Sequence, residues 1–600
     1  MTSKSRCDLT HDLFLPTLLF TSLGGMTWAV RGCSGFGAAP GCIFAGVMWG
    51  AAWWYLAYEP KGEPSRRYSS AWIVLAMTLA FGFSGTRGWM QWPSFFEGRM
   101  DTNVEEGEWV PISRGYGFLW LFIAGVPWAG LGACALAWCG SLKETRAWHW
   151  MFRIALGMGG AYLARYLYDK YPAYFLPMYE EFESSYKDLR ANPNLRRLIG
   201  DCGSAVFHLG YYLGFLLFEI IRRDWKNVVL IVTVGVLNGA GWAAFQNWKW
   251  AQNVWPSANF NFWRCWESSG GLSIGLAFGI AYFLVNRRMP EKERALVATQ
   301  RAVSGPNFEW FLVFCGLAAY LSIFLQGITS RWSPYYLPVL YVFAVAYYLV
   351  YRKSVKDGRR GYGVIGWIAI LLSLAFIGGT YPPWLSRVFG DYLPRLFGMV
   401  GNYVPSLGET LGKYRPPAGR DLVRYGEYYH LAVFVLGLAW YLLFESRFNA
   451  EKLASSPPEG DSNLERLGLY LGLLTGLGLS IRNGAKGWFN IYQGNEAYWN
   501  AQLWMYSGPT FLLCLLLIAA RILFRPRQQE SIGMRFPHAY GAFWLVLIVQ
   551  NVIAQLVTGP WSRWNEVAFS IYYLLLFLIT AVIAVHYRML KSISSLQEAS

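Results

Sequence analysis

The sequence predicts an all-α integral membrane protein, a polytopic bundle of about sixteen transmembrane helices. Of its 600 residues, 54% are hydrophobic and only 15% are charged, whereas soluble domains carry about 25% charged residues. Apolar runs of about 17 to 25 residues recur along the chain, and each is long enough to cross a hydrocarbon core of about 30 Å. We therefore interpret residues 1–600 as one integral membrane domain.

The individual spans follow from length and hydropathy along the chain. The span with the least apolar composition is 148–168, because Arg153 and Arg165 interrupt it. A polar linker is predicted at 450–465 and a long outward segment at 381–424. The predicted spans are 13–30, 38–58, 70–86, 116–139, 148–168, 204–221, 227–245, 270–286, 308–327, 335–351, 363–380, 428–445, 464–481, 505–524, 539–558 and 567–587.

Alternate connections between the spans are short and basic. Arg66 and Arg67 follow the second span, and Arg222 and Arg223 follow the sixth. Because Lys and Arg remain on the cytoplasmic side, both termini are predicted to be cytoplasmic. The formal net charge of +16 is thus interpreted as a topology signal, and nucleic acid is excluded as a partner. The predicted location is a bacterial plasma (inner) membrane, with membrane lipid as the surrounding partner.

A short glycine motif follows several apolar runs. It consists of a polar residue, two glycines separated by two residues, and Trp or Phe, as at residues 31–36, 84–89 and 480–488, with a shorter version at 238–242. Three return helices are preceded by Trp, Ser and Gly, as at 269–270. These recurrences predict repeated helical hairpins near 13–58, 70–139, 227–286 and 464–524.

The glycine motifs and the outward aromatic segments contain the candidate binding residues. A helix that ends at Gly frees carbonyls and turns the next amides toward a ligand, and a nearby Arg can hold a carboxylate or phosphate. Indole faces beside amide and carboxylate side chains suit a sugar-like solute. The alternative is that Gly ends a helix, Arg extends to the headgroups and Trp anchors the interface. The candidate substrate-binding residues are Arg31, Arg87, Trp89, Asn238, Trp242, Trp266, Glu267, Arg482, Asn483, Trp488 and Glu496.

Metal and cofactor chemistry is not indicated. The nine cysteines form no C-x-x-C pair and the six histidines show no ligand spacing, so no metal site and no cofactor are predicted. Cys202 and Cys265 are both expected in outward connections, which leaves a disulfide between them open. Within the spans, His208 is expected to face the bundle interior, and Glu219 to pair or to extend to the interface.

Outward carboxylates raise the question of catalysis, although no catalytic residue is assigned. Any two of these carboxylates could act as a general acid and a general base. The outward carboxylates are Glu97, Glu267, Glu496 and Glu566. Three functions therefore remain open. The first is a transporter or permease for a small polar solute, sugar-like or anionic. The second is a membrane-embedded transferase that uses a lipid-linked sugar or acyl donor at the outer face. The third is a structural subunit of a membrane complex, whose outward aromatic loops dock a partner protein.

Overall fold

A computed structural model of the chain describes residues 8–33, 38–58, 65–70, 72–85, 92–103, 106–187, 193–258, 262–297 and 564–597. These residues are mostly helical, and a helix is found at every predicted span that they include. In chain order the helices are α1 (Leu15–Cys33), α2 (Ala38–Ala57), α3 (Trp72–Ser84), α4 (Trp92–Phe96), α5 (Gly115–Trp138), α6 (Ala147–Lys170), α7 (Glu183–Lys187), α8 (Pro193–Ile221), α9 (Trp225–Phe245), α10 (Asn247–Val254), α11 (Phe262–Val285) and α12 (Trp564–Gln597).

A small β-hairpin corrects the prediction of a purely helical chain. Strands β1 (Arg99–Asn103) and β2 (Glu108–Pro111) pair in antiparallel register between α4 and α5. Gly98 and Gly107 adopt φ values of 81° and 72°, a region that glycine enters without steric cost. The hairpin lies in a connection predicted to be outward, where its polar backbone does not have to cross a bilayer.

Several of the described helices have the length and composition of membrane spans. Among the described residues, five helices meet both conditions: Gly115–Trp138, Leu198–Ile221, Trp225–Phe245, Arg264–Val285 and Val567–Tyr587. They indicate a membrane protein. Helix pairs α1–α2, α3–α5 and α9–α11 occupy three of the four predicted hairpins. The fourth hairpin at 464–524, the linker at 450–465, the segment at 381–424 and the spans between 308 and 558 lie outside the described residues.

Helices α1 and α11 pack through glycines. Gly271, Gly275 and Gly279 recur at every fourth position of α11, so they share one side of the helix. A methyl group added at Gly279 would lie only 2.5 Å from the Cα of Thr17 on α1, and one added at Gly271 would meet the backbone of Gly24. Small residues at this spacing permit the close backbone approach that holds helices together in lipid.

Two further helix pairs use the same device. Gly125 on α5 faces Gly239 on α9, and Gly160 on α6 faces Gly210 on α8. A Cβ added at Gly160 would lie 2.5 Å from the carbonyl oxygen of Gly210. Dispersion contacts along these seams replace the hydrophobic driving force that lipid does not supply.

The connections that join at one end of the bundle are the basic ones. We call this the basic end, and it comprises residues 8–14, 65–70, 139–149, 219–228 and 286–297 with the C-terminal part of α12. Direct contacts define it: Arg66 bonds to Asp12 and to the carbonyl of Asn286, and the Tyr587 hydroxyl donates to the carbonyl of His11. Along the chain, the long helices therefore alternate between beginning at the basic end and ending at it.

Candidate functional site

Five tryptophans from five helices form a cluster in the centre of the described bundle. Ring centroids are 4.5 Å apart for Trp28 and Trp128, 4.9 Å for Trp128 and Trp242, and 5.0 Å for Trp242 and Trp266. Trp49 completes the cluster, 5.9 Å from Trp28. All five side chains are buried, and most pairs meet edge to face, which suits the aromatic quadrupole. We call this group the indole cluster.

A polar stripe on α9 runs beside the indole cluster. Asn238 and Trp242 of α9, and Gln246 that directly follows its last residue in helical conformation, are spaced by four residues and so lie on one side. The Asn238 side chain is fully buried, and its amide nitrogen donates to the carbonyl of Gly125 at 2.5 Å. Gln246 is also fully buried.

The hydrogen-bonding capacity of these two amides is incompletely used. Among the described residues, the Oδ1 atom of Asn238 and both polar atoms of the Gln246 amide have no hydrogen-bond partner. A buried polar group without a partner costs about 1–3 kcal/mol. Such groups in a native protein call for an explanation, and a ligand or an ordered water is one.

Trp266 and Glu267 do not lie in an outward loop, which corrects their predicted environment, whereas Trp242 lies in a helix at the predicted span 227–245. Trp242 lies within α9, and α11 begins at Phe262, so Trp266 and Glu267 are helical and buried. The helix extends this far because Trp266 packs on Trp242 and the Ser268 hydroxyl bonds to that of Tyr572 at 2.8 Å. The structure thus brings Asn238, Trp242 and Trp266 together inside the bundle.

The glycine motif does not end α9. Residues 238–242 lie within a continuous helix, where Gly239 faces Val126 and Phe122 of α5 and Gly241 faces Ser273 of α11. The signal at 269–270 likewise lies inside α11 and does not start it. Three other copies mark helix boundaries as predicted: α1 ends at Cys33 within 31–36, α3 ends at Ser84, and α5 begins at Gly115, two residues after Ser113. The glycines at 239, 241 and 270 serve helix packing. The local sequence does not distinguish a glycine in such a contact from a glycine in a turn.

The remaining candidate residues give no side-chain geometry. Arg31 lies in α1, where the backbone alone is described. Six others lie outside the described residues: Arg87, Trp89, Arg482, Asn483, Trp488 and Glu496.

A buried ionic network at the basic end was not predicted. Arg153 on α6 donates from Nε and Nη2 to Oε1 of Glu219 on α8, at 3.1 and 2.5 Å. Asn227 donates to the other carboxylate oxygen at 2.9 Å, and the Tyr68 hydroxyl donates to Asn227 at 2.5 Å. The Arg153 guanidinium also lies 4.5 Å from the ring centroid of Phe218. Arg153, which interrupts the predicted span 148–168, is thus paired inside the bundle. For Glu219, the first of its two expected behaviours is observed, since it forms an ion pair.

Arg66 and Arg67 extend this network and are not simply exposed topology signals. Arg66 pairs with Asp12 at 2.9 Å, and Arg67 pairs with Asp224 at 2.6 Å. Both arginines are buried. Burial opposes the charge of Arg66, but its neighbours Tyr282 and Asp12 outweigh that effect and raise its pKa. The sequence gives only a weak signal for these ion pairs. Each acidic partner, Asp12 or Asp224, is a single carboxylate next to a different apolar run from the one that its arginine follows.

The described residues contain no group of three or more His, Cys, Asp or Glu side chains that could hold a metal ion. Cys202 and Cys265 form no disulfide, and both lie within helices, where the sequence prediction had placed them in connections. His208 faces the interior as predicted, with its Nδ1 2.7 Å from the carbonyl oxygen of Ser204.

Comparison of the chain with protein-family models, with curated proteins and with solved structures gives no match. The function is therefore inferred from the described side chains and the sequence.

Proposed function

We propose that the protein is an integral membrane transporter for a small polar solute, and that Asn238, Trp242 and Trp266 contribute to its solute site. The observation that carries this proposal is the polar stripe on α9. Polar side chains buried among transmembrane helices are costly, and they commonly mark a solute pathway. An amide next to an indole face offers a hydroxylated solute both hydrogen bonds and an apolar contact.

Gln246 joins the proposed site although the sequence did not single it out. Its side-chain amide offers one donor and one acceptor group at a buried position. Asn238, about 12 Å away along the helix axis, retains a free acceptor. A solute that moves past Trp242 would therefore meet one amide before the indole and one after it. The arginines at 31, 87 and 482 keep their predicted part in binding an anionic solute.

Uptake into proteoliposomes tests the proposal directly. The purified protein is reconstituted and assayed with a panel of radiolabelled sugars and organic anions. Gln246→Ala is compared with Asn247→Ala, which removes the neighbouring but exposed amide. We expect Gln246→Ala to lower uptake of the transported solute about tenfold, the effect of losing one or two hydrogen bonds, and Asn247→Ala to retain it.

Two results would count against the transporter. One is the absence of uptake for every solute in the panel when the protein is correctly inserted. The other is equal uptake by both amide variants, which would remove Gln246 from the solute site.

The transferase alternative draws less support from the described residues. Of its candidate carboxylates, Glu97 pairs with Arg99 at 3.0 Å, and Glu267 is buried within α11. Product formation from a lipid-linked donor that is lost in Glu267→Gln would restore this alternative. A partner protein that copurifies in mild detergent would favour the structural subunit. For all three functions we propose the plasma membrane of a bacterium, with the basic end in the cytoplasm.

A further inference from the structure

Two adjoining connections of the basic end carry three cations that form no ion pair among the described residues. Lys143 lies in the connection between α5 and α6, and Arg222 and Arg223 lie between α8 and α9. Within the described part of the chain, none of the three forms an ion pair, whereas each of the buried arginines at this end does: Arg66, Arg67 and Arg153.

The two connections hold these cations next to each other. Arg222 donates from Nη2 to the carbonyls of Lys143 and Glu144 at 3.1 and 3.0 Å, and from Nη1 to the Thr145 hydroxyl at 3.1 Å. The Lys143 ammonium donates in return to the carbonyl of Arg222. Carbonyl partners orient the cations without neutralising them.

The acidic side chains near these cations are already engaged, since Asp224 pairs with Arg67 and Glu219 with Arg153. Glu144 pairs with Arg146 at 2.7 Å, and this hydrogen bond lowers the pKa of Glu144. Lys143 and Arg223 are exposed, and Arg223 adopts a φ of 56° in the turn that ends α8. Like charges gathered in this way repel one another, and an external anion relieves the repulsion.

Aromatic residues place this cluster at the level of the lipid headgroups. Trp148 and Trp225 flank it and are 57% and 60% exposed. Tyr171 is exposed at the other end of α6, about 34 Å from Trp148 along the helix axis. This separation matches a hydrocarbon core of about 30 Å with an aromatic residue at each interface.

We propose that Lys143, Arg222 and Arg223 bind the phosphate of an anionic phospholipid headgroup. The lipid source is favoured over free phosphate because exposed apolar side chains adjoin the cations. Ile221 and Phe152 offer the acyl chains a surface next to the charges. Basic pockets beside transmembrane helices recognise anionic headgroups in this way. The inference rests on membrane residence and is independent of the solute that the protein transports.

Native mass spectrometry of the full-length protein tests this site. The protein is reconstituted in nanodiscs of phosphatidylcholine alone or of phosphatidylcholine mixed with phosphatidylglycerol, and the retained lipid is counted. We expect phosphatidylglycerol to be retained by the wild type. Arg223→Gln should weaken its binding about fivefold, the effect of one interfacial charge, and Lys143→Gln/Arg223→Gln should weaken it further.

Lys187→Gln is the matched control, because it removes an exposed cation from α7 at the opposite end. It should retain phosphatidylglycerol like the wild type. Equal retention of phosphatidylglycerol by the control and by both basic-end variants would overturn the proposal. The proposal would also be overturned if inorganic phosphate alone raised the melting temperature of the protein as much as phosphatidylglycerol does. That result would assign the cluster to a soluble anion. Arg223 contacts no other side chain through an ion pair in the described residues, so its variant is expected to fold.

Discussion

At the scale of single residues, the clearest feature is that charges within apolar helices are neutralised in pairs. Arg153 and Glu219 are each almost fully buried, with side-chain exposures of 1% and 0%. An isolated charge at such a position would be very costly, whereas a well-bonded pair offsets much of its desolvation. The charge that made 148–168 the least apolar predicted span is therefore compatible with burial between α6 and α8.

Breaking this pair should be more harmful than removing it. We expect Arg153→Met to cost about 3–5 kcal/mol, because Glu219 is left buried and charged. Arg153→Met/Glu219→Leu should recover most of that loss. Arg165→Gln, which removes an exposed pair with Asp169, should cost less than about 1 kcal/mol. Unfolding in detergent measures all three, and a double variant no more stable than the single one would refute the expectation.

A second residue-scale prediction concerns acid pH. The hydrogen bond from His11 lowers the pKa of Asp8 below its ordinary value of 3.8. The folded state thus favours the carboxylate, so this stabilisation is present above pH 3.8 and is lost as the pH falls through the lowered pKa. The difference in melting temperature between wild type and Asp8→Asn should shrink across that acid range. A difference that stays constant there would show that the Asp8 charge does not contribute.

At the scale of elements, glycine decides which helices touch. The α1–α11, α5–α9 and α6–α8 pairs each bring backbones together at positions where a Cβ has no room. The sequence displays these glycines plainly, but a glycine at a turn and a glycine in a seam look alike locally. Residues 238–242 show the consequence, since a motif expected to end a helix lies within α9, which continues to Phe245.

Adjacent glycines on α6 allow a matched test of the seam. Gly160→Ala should destabilise the protein by about 1–3 kcal/mol, because its methyl group would overlap the Gly210 carbonyl. Gly159→Ala places its methyl group in open space and should be neutral or stabilising by up to about 1 kcal/mol through helix propensity. Melting temperatures in detergent distinguish the two, and equal values would mean that the α6–α8 contact is looser than described.

At the scale of the whole molecule, the basic connections converge at one end and the indole cluster lies between the helices that they join. Charge placement along the sequence anticipated this convergence, because alternate connections of antiparallel helices must share an end. The orientation of that end relative to the cytoplasm stays a prediction. It matters for function, since it determines from which compartment a solute would reach the polar stripe.

Cysteine labelling of intact cells tests the orientation. In a cysteine-free background, Glu144→Cys lies at the basic end and Ser184→Cys in α7 at the opposite end, and both positions are exposed. A membrane-impermeant maleimide should label only the cysteine at 184 before lysis and both afterwards. Labelling at 144 alone would reverse the orientation, and labelling of both before lysis would show that the two ends do not lie in different compartments.

Much of the helical framework could be predicted from sequence, while the candidate site could be predicted only in part. Asn238, Trp242 and Trp266 were identified and do come together, although Trp266 lies inside a helix and not in the predicted outward loop. Gln246 was missed, because a polar residue at the end of an apolar run looks like an interfacial residue. The sequence prediction placed Glu267 in a connection because several polar residues surround it in the sequence. The packing of Trp266 on α9 extends α11 so that Glu267 lies inside the helix.

The sequence alone determined that the described chain is built of apolar helices joined by basic connections on alternate sides, because hydropathy and charge are properties of the local sequence. The tertiary structure decided which arginine meets which carboxylate, which glycines form seams and which indoles meet in the centre. Those outcomes depend on contacts between helices far apart in the chain. Arg153 and Glu219, separated by 66 positions, acquire their neutral pairing only when α6 and α8 close on each other.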